Sequence, residues 1–146
     1  MVMQTSCKKG MEQMDLLQAF EIFVDKAKGS SLGEKFYQEA DPYLGFVSDK
    51  LCISKRASAI MALFADRCDD NHIQFSDYTD FLDCRILSLL RYSKETEELV
   101  DKEYVFRSKD EGLYYCIPME VMEAFQQNQR YIPSDVEELT DRELFD

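Results

Sequence analysis

Apolar residues recur at helical spacing near the start of the chain: Met14, Leu17, Phe20, Phe23 with Val24, and Ala27. Glu12, Asp15, Glu21 and Asp25 fill positions between them, so the pattern predicts an amphipathic helix over 11–28, closed by Gly29. Ser31-Leu32-Gly33-Glu34 has the capping-box form, in which a serine and a glutamate three residues on satisfy each other's backbone N–H groups, and predicts a second helix to about residue 40. Asp41-Pro42 places an N-cap acid before a proline, whose missing N–H is harmless in a first helical turn; a third short helix is expected over 42–51. Residues 1–51 thus read as a helical N-terminal extension whose apolar stripes need a partner surface.

From Cys52 the pattern changes. Ser54 caps a helix with Ala57, Ile60, Met61 and Phe64 on one face, ending near Cys68. Ile73-Gln74-Phe75 is long enough only for a small strand, and Ser76-Asp77 then starts a short helix carrying Tyr78, Phe81 and Leu82. A longer helix is predicted over 85–102, with Ile86, Leu89, Leu90, Leu99 and Val100 inward. Two β-rich runs, 104–108 and 113–117, flank a turn that holds Gly112 and read as a hairpin. Pro118 opens a last helix to about residue 128 with Val121, Met122 and Phe125 on one side. Helix, short strand, helix, helix, hairpin is the order of a winged helix. The expected fold is mainly α with a small β-hairpin: the extension at 1–51 packed on a winged-helix-like domain at 52–128. The remainder, 129–146, reads as an acidic linker; Thr140-Asp141-Arg142-Glu143 begins a helix too short to stand alone, so more protein is expected to follow.

Composition narrows the class. The hydrophobic fraction is 45% and the charged fraction 32%, a balance that supports a folded core without disulfide staples. No apolar run approaches the ~18 residues that span a bilayer, and Lys8 and Lys9 are not followed by a signal-type stretch. Five scattered cysteines without a CxxC pair suit a reducing compartment and buried structural thiols, so a cytoplasmic location is expected. Cys68 and His72 have metal-compatible spacing but lack further ligands, and capping and turn roles fit that stretch better.

The net charge is −12, unevenly spread: residues 1–70 hold nine basic and eleven acidic side chains (net −2), whereas residues 71–146 hold eight and eighteen (net −10). Phosphate neutralisation supplies much of any affinity for DNA, so this polarity opposes nucleic acid binding. The residues that would serve a winged-helix DNA contact are Arg85, Ser88, Arg91 and Lys94 in the would-be recognition helix, with Arg107 and Lys109 in the wing. Asp77, Asp80, Asp83, Glu95, Glu97, Glu98, Asp110 and Glu111 surround them, a mixture more typical of a salt-bridged surface. Tyr92, Tyr104, Phe106, Tyr114 and Tyr115 could form a stacking platform, but their spacing fits core and wing packing better. The sequence has no phosphate-binding loop, GxSxG, HExxH or calcium loop, and adjacent acids such as Glu97-Glu98 lack apolar neighbours that would shift a pKa. No catalytic, cofactor-binding or metal residues are assigned.

The stretch Phe81-Leu82-Asp83-Cys84-Arg85-Ile86-Leu87-Ser88, continuing to Glu97-Glu98-Leu99-Val100-Asp101-Lys102, resembles the N-terminal region of certain bacterial AAA-family ATPases. Tyr115-Cys116-Ile117-Pro118-Met119-Glu120-Val121-Met122-Glu123-Ala124-Phe125 resembles that family's wing exit and closing helix, and Leu139-Thr140-Asp141-Arg142-Glu143-Leu144-Phe145 its acidic onward linker. The resemblance covers roughly 50–146. It implies a winged-helix-like front piece that meets a protein partner or the ATPase domain of the same polypeptide, with ATP and Mg held only in that further domain. The expectation is a non-catalytic protein-interaction and regulatory module, the alternatives being a DNA-binding transcription regulator and a small enzyme.

Overall fold

The computed structural model describes residues 14–108 and 114–133. Among them are seven α-helices, one 3-10 turn and one antiparallel hairpin, so the chain is mainly helical with a small β-element. No described helix is long and apolar enough to cross a membrane.

Helix α1 (Leu16–Ala27) starts at Asp15, whose carboxylate accepts from the Gln18 N–H (2.8 Å), satisfying one of the first-turn donors. It buries Leu16, Ala19, Phe20, Phe23, Val24 and Ala27, a stripe turned slightly from the expected one, so that Leu17 lies only partly covered. Gly29 follows in a left-handed conformation (φ 68°).

Helix α2 (Glu34–Leu51) corrects two expectations. Its N-cap is Gly33, without a side-chain cap, because Ser31 and Leu32 both adopt left-handed backbone (φ 58° and 53°) and cannot form the capping box. Two such non-glycine residues cost on the order of 1–3 kcal/mol each. They are held by the Ser31 N–H donating to the Leu82 carbonyl (2.7 Å), the Ser31 hydroxyl donating to the Asp83 carbonyl and the Leu32 N–H donating to the Ser30 hydroxyl. The helix also runs unbroken through Pro42. An interior proline costs about 3 kcal/mol. Against this, Phe36, Ala40, Leu44, Val47 and Leu51 form one buried stripe, and burial is worth roughly 1.5–3 kcal/mol for each large member. A break at Asp41 would split that stripe; instead the Asp41 carboxylate pairs with Lys55 (2.8 Å).

Helix α3 (Lys55–Ala65) is capped by Ser54, whose hydroxyl accepts from the Ala57 N–H (3.1 Å). It is buried all round: every residue from Ala57 to Ala65 is covered, which makes it the central helix rather than one with a single inner face. Both α1 and α2 pack on it. Small side chains at Ala57, Ala59, Ala62 and Ala65 allow that close approach.

Next come the 3-10 turn (Phe75–Tyr78), closed by a Gln74–Asp77 capping box, and α4 (Thr79–Leu82). The helix expected over 85–102 is instead two, α5 (Ile86–Leu90) and α6 (Ser93–Asp101). Tyr92 breaks it, leaving helical geometry at φ −91°, ψ 22° while its ring is buried against Tyr37. Strands β1 (Phe106–Ser108) and β2 (Tyr114–Cys116) pair Phe106 with Cys116, Arg107 with Tyr115 and Ser108 with Tyr114. The expected strand at Ile73 is a single bridge to Tyr115, with N–H···O bonds of 2.9 and 2.8 Å, so β2 lies between Ile73 and β1. Tyr104 and Val105, expected in the first strand, precede it as buried bend residues, and the Tyr104 hydroxyl donates to the Leu51 carbonyl (2.7 Å). The hairpin turn lies outside the described residues.

Helix α7 (Met119–Gln126) buries Val121 and Phe125, the latter edge-on to Phe20 (5.6 Å between ring centres). After it, the Asn128 side-chain oxygen accepts from the Leu16 N–H (3.0 Å), joining the last helix to the first. A single apolar core runs from Met14 to Phe125, drawing on the residues of 14–51 and those after 52 alike.

Candidate functional site

The sequence-derived contact residues do not form one surface. Arg85 caps the start of α5, Ser88 lies on it and Arg91 follows it, all exposed. Lys94, in the first turn of α6, lines a shallow groove with Ser93, Glu97, Glu98, Asp101 and Lys102, where acids outnumber bases. Arg107 is paired with Glu97. Lys109 lies outside the described residues. Arg107 is thus neutralised by the helix it would have to assist, and no continuous basic track joins α5 to β1 and β2 among the described residues.

What α5 does present is apolar. Ile86 is 39%, Leu87 65% and Leu90 52% exposed, and Leu89 is the one apolar side chain of α5 that is buried. The expectation that Ile86 and Leu90 point inward is therefore wrong. The helix breaks at Arg91–Tyr92, and beyond the break Thr96 and Leu99 of α6 are buried. Arg85, Ser88 and Arg91 give this ridge a polar and cationic border.

Behind the kink, Tyr37 and Tyr92 share a hydroxyl–hydroxyl hydrogen bond of 2.5 Å. The Arg56 guanidinium lies over the Tyr92 ring (4.4 Å) and more distantly over Tyr37 (5.9 Å), and its Nε–H donates to Glu95 (3.4 Å). Burial, then the shared hydrogen bond, pushes the Tyr37 phenol far above its ordinary range; burial likewise raises Tyr92. Neither is a base near neutral pH. This group was not foreseen, since its members sit at positions 37, 56, 92 and 95, on three separate helices.

The five aromatic residues considered as a platform are dispersed. Tyr104 and Tyr115 are core residues, Tyr115 stacking on Phe64 (5.1 Å); Tyr114 lies against the His72 ring (4.3 Å), and Phe106 is 59% exposed. Beside β1 a hollow of 640 Å³ is walled by Val100, Val105, Phe106, Pro118 and Tyr131 with Glu103, Arg107, Ser108 and Glu120.

The thiols also depart from expectation. Cys52 and Cys68 are exposed, Cys84 and Cys116 only half-buried, and all four are free. Partial burial nevertheless raises Cys68, Cys84 and Cys116 above the usual thiol range, which lowers the thiolate fraction. Cys52 Sγ accepts from Arg130 Nη1 (3.0 Å), a contact between residues 78 positions apart. Cys68 and His72 belong to no group of three or more metal-ligating side chains among the described residues. The His72 N–H instead donates to Asp70 (2.8 Å), and this bond, with the Arg67 pair, holds the Asp70 carboxyl below the ordinary range.

Comparison with protein-family models, with curated proteins and with solved structures returned no match to this chain.

Proposed function

We propose that this chain is a non-catalytic protein-binding module that docks a polypeptide on the α5 ridge. The observation that carries the reading is the exposure of Ile86, Leu87 and Leu90 together on one short helix. Contiguous apolar side chains left in water mark interaction surfaces, because covering each is worth roughly 1.5–3 kcal/mol at full burial. Arg85 and Arg91 at the border favour an occupant whose apolar face is flanked by carboxylates.

The winged-helix reading draws support from the element order and from the Ile73–Tyr115 bridge, which makes β2 the middle strand of a minimal three-stranded ladder. In that arrangement α5 stands where a DNA-reading helix would begin. An apolar ridge suits a protein contact there better than base edges or phosphates, and the net charge of −12 acts in the same direction. The setting as the front domain of an AAA-family ATPase rests on the residue pattern at 81–88 and 115–125. Its partner would then be a client protein or the ATPase domain, in a cytoplasm whose reducing conditions suit the free thiols.

The test is site-specific photo-cross-linking from position 87 in the source cell, followed by titration of the captured protein against wild type and Leu87→Asp/Leu90→Asp. At least a tenfold loss of affinity in the variant, with an unchanged melting temperature, is expected. Tight, salt-sensitive binding of a DNA duplex, weakened by Arg91→Glu, would replace this reading with that of a transcription regulator.

A further inference from the structure

Where the loop before α2 meets the kink between α5 and α6, a cavity of 210 Å³ is lined by Ser31, Leu32, Arg56, Ser88, Leu89, Arg91 and Tyr92. Two arginines and no aspartate or glutamate line it, although Arg56 is itself paired with Glu95 (3.4 Å). Four other hollows of the described residues each include at least one aspartate or glutamate. In a chain with 29 acidic side chains, a cavity that excludes them and gathers two arginines is an exception that packing alone does not require.

The donors are arranged for use. Arg56 is held from behind by the Tyr92 and Tyr37 rings and by Glu95 at Nε, leaving both terminal nitrogens without a hydrogen-bond partner among the described residues. Holding the fork in place before a ligand arrives reduces the entropy lost on binding. The Arg91 N–H donates to the Leu89 carbonyl, but its guanidinium makes no hydrogen bond or ion pair with any described residue, and the Ser88 hydroxyl is likewise uncommitted there. The Ser31 hydroxyl proton is already given to the Asp83 carbonyl, so Ser31 forms wall and not donor. Paired guanidinium forks match the oxygens of a tetrahedral dianion. The volume is below the roughly 300–1,000 Å³ of sites that enclose a whole drug-sized ligand, so a nucleotide is too large and a phosphoryl group fits.

We propose that this cavity binds a terminal phosphate, as the free ion or as a phosphomonoester, between Arg56, Arg91 and the Ser88 hydroxyl. The site shares Ser88 and Arg91 with the border of the α5 ridge but faces the loop at Ser31, away from Leu87 and Leu90, and its occupancy would brace the kink from which the ridge projects.

The test is an amide and arginine-side-chain NMR titration of the full chain at constant ionic strength, with inorganic phosphate, phosphoserine and dimethyl phosphate as probes. Saturable shifts are expected at Ser31, Leu32, Arg56 Nε and 88–92, with affinity reduced at least ~10-fold in Arg91→Gln, the effect of losing a charge-assisted hydrogen bond. Ser88→Asp, which puts a carboxylate into the cavity and leaves both arginines, should abolish them; an unchanged melting temperature shows that either exposed substitution leaves the fold intact. Equal affinity for inorganic phosphate and phosphoserine identifies the free ion as ligand, and tighter phosphoserine binding a phosphoryl group on a larger molecule. Shifts no larger than those from chloride, equal binding of the singly charged dimethyl phosphate, or affinity retained in both variants would overturn the proposal.

Discussion

Helices α3 and α5 are both short and rich in apolar residues, yet they meet opposite surroundings. Every side chain from Ala57 to Ala65 is covered, whereas α5 buries Leu89 and leaves Ile86, Leu87 and Leu90 in water. Helices α1, α2 and α6 converge on α3, while α5 rests chiefly on the 3-10 turn. Apolar character therefore measures what a helix could bury; the number of elements that reach it decides what it does bury. The difference also separates roles, since α3 holds the fold together and α5 keeps surface available for a partner.

Substitution can sharpen or break this contrast. The largest effect is expected from Phe64→Ala in α3, whose ring meets Tyr115, Phe75 and Tyr78. A loss of about 3–5 kcal/mol in urea-unfolding free energy is predicted; a loss under 1 kcal/mol would remove α3 from the centre of the core. Within α5, Leu89→Ala should cost about 2–4 kcal/mol and Leu87→Ala less than about 0.5 kcal/mol in the same assay. Equal costs at these two positions would mean that the ridge is covered in solution.

Pro42→Ala should stabilise the chain by about 1–2 kcal/mol, smaller than the full interior-proline cost because alanine also frees the unfolded chain. A destabilised Pro42→Ala variant would show that α2 uses the proline. Smallest near neutral pH, and visible only in alkali, is the effect of the covered phenols. Tyr104 is pushed by burial up to about 12, and burial also raises Tyr37, Tyr78 and Tyr92. Their folded-state values exceed the unfolded value of about 10, so the stability they contribute is complete below that pH and lost as pH rises through the folded values. Phenolate absorbance followed against pH should show these tyrosines ionising late, together with unfolding; early ionisation of all the tyrosines would contradict their burial.

Local chemistry was readable wherever a few neighbouring residues settle the outcome. The cap at Ser54, the left-handed stop at Gly29 and the helix after Pro118 follow from side chains acting on backbone within one turn. So does the dominance of helix, since apolar spacing near 3.6 persists through most of the chain. What failed was local reasoning at Pro42, at Ser31 and at Tyr92. In each, a longer-range requirement outweighed the nearby signal: an unbroken stripe on α2, backbone bonds to the end of α4, and a tyrosine ring drawn under Arg56.

The candidate site was only half legible for the same reason. Ser88 and Arg91 stood out on the predicted recognition helix, but their companions Arg56 and Ser31 lie 32 or more positions earlier, on elements with periodicities of their own. The amino-acid order by itself determined that this chain folds into helices with a small hairpin and carries a strongly acidic surface, because those follow from spacing and from charge. Tertiary structure alone decided which apolar helix stayed uncovered and which arginines came together in a cavity lined by no acid. Burial and proximity are properties of elements packed together, and no window of neighbouring residues contains them.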